Sequence, residues 1–108
     1  MFRKIQKLHF VGIGGIGMSA LAQLYLSEGK RVTGSDRERS PTTELLEAKG
    51  IRVAIGQSAA NVPADIELAV YSDAVWPDNP ERARVKEAGI REVSGEVRPW
   101  WARQGLNL

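Results

Sequence analysis

The chain has no cysteine and a single histidine, His9, among its 108 residues. Without thiols there are no disulfides and no thiolate metal ligands, and one imidazole cannot build a metal cluster alone. Long apolar runs are missing too: none approaches the roughly 18 residues that cross a bilayer, and Met1-Phe2-Arg3-Lys4 leads into a strand rather than a secretory signal core. Like charges never run together in the blocks of about five or six that mark interaction tails, and the formal charge is only +2 despite a pI near 9.2. Nucleic acid and membrane are therefore not expected partners, and a cytoplasmic location is expected. Catalytic constellations are absent from the sequence: it shows no nucleophile beside a base, no carboxylate pair at a plausible spacing and no Walker-type lysine. The composition, 43% hydrophobic and 26% charged, supplies one buried core and the charge spread of an ordered protein.

The patterning predicts alternating strands and helices. Lys7–Ile13 is a short apolar, β-branched run ending at glycines, as a buried parallel strand reads. Gly15–Glu28 carries Ile16, Ala20, Leu21 and Leu24 at helical spacing, with Gly29 at the left-handed cap position. A second strand follows at Lys30–Ser35, then Ser40 and Pro41 open a helix to Lys49 closed by Gly50. Ile51–Ile55 and Glu67–Tyr71 read as strands. Asn79-Pro80 repeats the cap-then-proline signal for a helix that stops before Gly89, and Ile90–Val93 is the last strand. Such βα alternation with short connections gives an α/β, Rossmann-like parallel five-stranded sheet with helices on both faces, one domain over residues 1–95. Residues 96–108 form a tail without a clear pattern. Ligands of such sheets bind beyond the carboxyl ends of the strands, beside the first one.

Gly12-Ile13-Gly14-Gly15-Ile16-Gly17 satisfies G-x-G-x-x-G between strand and helix, the context the motif requires. Gly14 and Gly15 let backbone approach a diphosphate, the helix start directs N–H groups and its positive dipole end at it, and Gly17 allows close packing of helix on sheet. Asp36, closing the second strand, stands where a carboxylate commonly accepts hydrogen bonds from a ribose, although an Asp capping its own turn fits as well. Ser72 and Ala74 end the fourth strand on the same sheet edge. His9, inside the first strand, reads as structural. Trp76, Trp100 and Trp101 read as core or interface residues rather than ligand contacts. On the glycines and Asp36, an NAD(P)-binding module of an oxidoreductase remains open, as does a ligand-free regulatory or scaffold domain.

Residues 4–22, KIQKLHFVGIGGIGMSALA, closely resemble the opening of the UDP-N-acetylmuramate:L-alanine ligases of the Mur ligase family, and the likeness continues through Val32–Asp36, Tyr71–Val75 and Asp78–Glu81 to about Val93. The resemblance implies an N-terminal domain that binds the UDP part of UDP-N-acetylmuramate or UDP itself in peptidoglycan synthesis. Gly12, Gly14, Gly15, Ile16 and Gly17 would surround the diphosphate, and Ser35, Asp36, Ser72 and Ala74 the ribose and uracil. It also implies that no cofactor sits in this domain, since ATP and Mg belong to the further domains of the full-length enzyme. A sister ligase that recycles murein tripeptide shares the same UDP end. Gly56-Gln57 departs from the Gly-His pair usual in the family. Trp100 and Trp101 lead to the expectation of a homodimer through an apolar patch at the tail.

Overall fold

Short β-branched segments separated by capped helices fold, in the computed structural model, into one parallel sheet; the structure describes residues 5–95. The elements are β1 Lys7–Val11, α1 Ile16–Ser27, β2 Arg31–Asp36, α2 Pro41–Ala48, β3 Arg52–Ile55, a 3-10 turn Ala59–Asn61, β4 Leu68–Tyr71, α3 Pro80–Glu87 and β5 Arg91–Ser94. The strand order is β3-β2-β1-β4-β5, parallel throughout, so the chain reverses its winding between β1 and β4. The predicted α/β fold is the observed one. Strand and helix ends differ from the sequence reading by a residue or two, because caps and turns claim the terminal positions.

Each helix start follows from its local chemistry. At α2 the Ser40 hydroxyl accepts from Thr43 N at 3.1 Å while Thr43 Oγ1 accepts from Ser40 N at 2.9 Å, a reciprocal capping box, and Pro41 occupies the first turn. At α3 the Asn79 side-chain oxygen accepts from Glu81 N at 2.8 Å and from Arg82 N at 3.3 Å. The start of α1 has no side-chain cap and no acidic residue in its first turn. The glycines after each helix, Gly29, Gly50 and Gly89, all adopt positive φ, as the repeated exit pattern predicts.

Strand alternation divides the buried residues. Leu8, Phe10, Val32, Leu68 and Val70 pack with Met18, Leu21, Ala22 and Tyr25 of α1 and Leu46 of α2 into the main core. On the other face a smaller cluster joins Val62, Ile66 and Ala69 to Val85 of α3. The α1 stripe is rotated from the predicted one: Leu21 is buried as expected, but Ile16 is 93% exposed, Leu24 44% exposed and Ala20 exposed, and the helix buries Met18, Ser19, Ala22 and Tyr25 beside Leu21. Apolar residues stand on both sides of this helix, so spacing alone does not decide which side the sheet takes. Gly17 consequently faces solvent, and a Cβ there would meet nothing within 4 Å; its predicted role in helix-to-sheet packing is not observed. Close packing falls at Gly34 instead, where a Cβ would stand 2.5 Å from Ile13 Cδ1. Trp76 is 75% exposed on the loop after β4 rather than in the core. The tail, with Trp100, Trp101 and the dimer expected through them, lies outside the described residues. Among the described residues no helix is long and apolar enough to cross a membrane.

Candidate functional site

The turn from β1 into α1 is tied to the end of β2, since Gly12 N and Ile13 N both donate to the Ser35 carbonyl at 2.9 Å. Gly12 sits at φ +85°, and a Cβ there would come within 3.0 Å of Ser72 Cβ, so the turn runs directly against the loop after β4. At Gly14 a Cβ would stand 2.7 Å from Asp36 Oδ2. Gly14 N donates to that same oxygen at 2.8 Å, while Asp36 Oδ1 accepts from Glu38 N at 3.3 Å. Asp36 thus caps its own turn and also shows that the glycine-loop amide is aimed at an acidic oxygen.

These loops enclose a cavity of about 360 Å³. Gly12, Gly14 and Gly15 form its floor, Asp36, Arg37, Glu38 and Ser40 one wall beyond β2, and Ser72, Ala74 and Val75 the wall beyond β4; Gln57, after β3, completes it. Of the residues predicted from the sequence, Gly12, Gly14, Gly15, Asp36, Ser72 and Ala74 therefore meet in one place. Ile16 and Gly17 do not line it and belong to the adjoining exposed first turn of α1. Ser35 does not line it either: it is fully buried, and its hydroxyl donates to Glu81 Oε1 at 2.7 Å. The reason is strand parity, since at Ser35 the side chain of β2 leaves on the face covered by α3. A second cavity, of about 400 Å³, lies at the opposite edge among Arg31, Arg52 and Asp65, where Asp65 is held below its usual value chiefly by its hydrogen bond to Arg31 and also by Lys7.

Beneath the first cavity lies a polar network that sequence reasoning did not find. Glu81, fully buried, accepts four hydrogen bonds: Oε1 from His9 Nε2 at 2.8 Å and Ser35 Oγ at 2.7 Å, Oε2 from Asn61 Nδ2 at 2.7 Å and Ser58 N at 3.2 Å. Nδ1 of His9 lies 2.7 Å from Thr33 Oγ1. Burial pushes the Glu81 carboxyl up, but the hydrogen bonds from His9, Asn61 and Ser35 and the charge of His9 outweigh it and hold the group below its ordinary 4.5. His9 is structural, as its position in a central strand implies. The available signal was parity: His9, Thr33 and Ser35 put three polar groups on one face of two central strands, which requires a buried partner. Above the network, Arg82 stacks 3.6 Å over the Tyr71 ring and donates to the Val75 carbonyl at 2.8 Å, fixing the loop that forms the β4 wall.

Comparison with known proteins bears on this geometry. Residues 7–97 match the profile of the "Mur ligase family, catalytic domain". A UDP-N-acetylmuramate--L-alanine ligase of Sulfurihydrogenibium sp. is 50% identical over 94 residues, covering 86% of this chain and 20% of the relative. The crystal structure of a UDP-N-acetylmuramate-alanine ligase of Thermotoga maritima superposes with a TM-score of 0.82 at 38% identity, over 92% of this chain and 22% of the other. A murein peptide ligase of Psychrobacter arcticus follows at TM-score 0.75 and 30% identity, over 82% of this chain and 18% of the other. The chain thus spans about a fifth of the length of the curated relatives it matches. With its profile matched over most of its length and its Rossmann-like fold shared at this similarity, the chain belongs to the Mur ligase family.

Proposed function

We propose that this domain binds the UDP portion of UDP-N-acetylmuramate for a cytoplasmic ligase of peptidoglycan synthesis that joins L-alanine to it. The observation that carries the reading is the cavity at the start of α1: of the three described α-helices, this one has no side-chain cap, and its glycine turn faces the same space as Asp36, Ser72 and Ala74. A helix start without a capping side chain, approached by glycine backbone, receives a diphosphate with its N–H groups and its dipole. Asp36 lines the same cavity, and in this reading its carboxylate accepts from the ribose hydroxyls. Ile16 and Gly17 contribute only backbone amides, and Ser35 acts from behind the pocket.

Identity favours the L-alanine ligase over the sister murein peptide ligase, 50% and 38% against 30%. The family match stands against the NAD(P) alternative, which rested on the glycine spacing and Asp36. Phosphoryl transfer from ATP with Mg would belong to further domains of the parent ligase, since phosphoryl transfer needs a phosphate cradle and a metal site besides this loop. Calorimetric titration of the 108-residue protein tests the reading: UDP and UDP-N-acetylmuramate are expected to bind more tightly than NAD or NADP. Equal or tighter NAD binding overturns it.

A further inference from the structure

The glycine turn already holds an acid of its own chain. Gly12 N and Ile13 N donate to the Ser35 carbonyl, and Gly15 N reaches the Gly12 carbonyl at 3.4 Å, so backbone takes three of the turn's amides. The fourth, Gly14 N, donates to Asp36 Oδ2 at 2.8 Å. The next amides, those of Ile16, Gly17 and Met18 in the first turn of α1, have no acceptor among the described residues. A carboxylate therefore lies at the positive end of α1, beside the amides that would receive a diphosphate. The charges around the cavity point the same way. Its charged lining residues are Asp36 and Glu38 against Arg37, and a wall with two carboxylates to one guanidinium does not gather free anions.

Both observations run against a general phosphate site, and the chemistry of Asp36 reconciles them with a nucleotide one. An arriving diphosphate competes with the Asp36 carboxylate for the Gly14 amide, and two like charges on one donor in a partly enclosed site repel strongly. The charge-assisted hydrogen bond from Gly14 N is lost or shared in the exchange. A ligand that carries a vicinal diol gives the displaced carboxylate new donors in its place. Pyrophosphate brings the charge without the diol, and leaves Asp36 facing an anion uncompensated.

We infer that Asp36 is an autoinhibitory, specificity-determining acid: it holds the Gly14 amide against phosphate-bearing anions that lack a diol, so that the turn yields to a nucleoside diphosphate and stays closed to pyrophosphate. The inference rests on the nucleotide reading above and adds to it a selection against ribose-free anions.

The test is calorimetric titration of UDP and of inorganic pyrophosphate, without divalent metal, into the wild-type chain, Asp36→Ala and Asp36→Asn. Wild type is expected to bind UDP far more tightly than pyrophosphate. Asp36→Ala removes the competing carboxylate, so pyrophosphate is expected to bind about tenfold more tightly, while UDP, deprived of an acceptor for its ribose, binds about tenfold more weakly. Asp36→Asn keeps the shape and an acceptor for Gly14 N but not the charge, and its pyrophosphate affinity is expected between the other two. The opposite signs are the signature, since an Asp36 that merely shapes the turn would lose both ligands together on substitution. A thermal melt checks that each variant folds; should Asp36→Ala not fold, Asp36→Asn decides. Pyrophosphate bound no more tightly by the folded variant than by wild type, or bound by wild type as tightly as UDP, overturns the inference and leaves the UDP site standing. Wild type failing to bind UDP overturns the site itself, and the inference with it.

Discussion

Leu8, Phe10, Leu68 and Val70 leave β1 and β4 toward α1 and α2 and join the main apolar core, whereas His9, one position along β1, leaves toward α3 and meets Thr33 and Glu81. Two faces of one sheet thus bury comparable positions by different chemistry. The apolar face is non-directional, so side chains of similar volume substitute for one another at modest cost. The polar face is directional, because its donors and acceptors are matched in place and an exchange leaves a buried group unmatched. That directional face backs Ser35 and Gln57 and orders the β2 and β3 side of the cavity, whereas the apolar face supplies stability without specifying the site.

The largest stability loss should come from the apolar side. Phe10→Ala removes a fully buried ring from the main core and is expected to cost about 4 kcal/mol, read by urea unfolding, with the residual folded fraction still binding UDP. Glu81→Gln keeps the shape but turns one of two carboxylate oxygens, each accepting two hydrogen bonds, into a donor, an expected cost of about 3 kcal/mol. Its signature is pH. Because Glu81 is held below its ordinary 4.5, its contribution is complete above that value and is lost as the pH falls through the lower folded value. The gap in stability between wild type and Glu81→Gln should therefore be widest near neutrality and close in acid; a gap constant with pH would place the effect in packing rather than charge.

The β-strands and helix caps were legible because each rests on local chemistry: β-branched runs ending at glycine, Ser40-Pro41 and Asn79-Pro80 ahead of helices, and glycine at every helix exit. The α1 stripe was legible only at Leu21, because Ile16, Ala20 and Leu24 repeat as well as Met18, Ala22 and Tyr25 do, and only the sheet chooses between them. The glycine turn, Asp36, Ser72 and Ala74 were legible as neighbours through topology, since strand ends of a parallel sheet share one edge. Ser35 was misplaced by one strand face. Glu81 carries no signal of its own in the sequence, since nothing within ten residues of it shows that His9, 72 positions away, is its partner.

Smaller effects sharpen the contrast between scaffold and site. Gly14→Val would stand its Cβ 2.7 Å from Asp36 Oδ2 and 3.3 Å from Thr43 Cγ2, so the variant is expected to fold with a lowered melting temperature as the Asp36 carboxylate is pushed off the Gly14 amide, and to lose UDP binding because the side chain fills the approach to the glycine turn. Binding that survives in the folded variant would remove the glycine turn from the site. Smallest of all, Asp65→Asn at the opposite edge breaks exposed pairs with Arg31 and Lys7 and should leave both stability and UDP affinity unchanged within error at physiological salt.

The most direct measurement is a map of backbone amide shifts in the 108-residue protein as UDP is added. The account predicts the largest changes at Gly12 to Gly17, Asp36, Gln57, Ser72 and Ala74, with residues around Arg31, Arg52 and Asp65 silent. Shifts concentrated at that opposite edge, or none at the glycine turn on saturation with UDP, would contradict it.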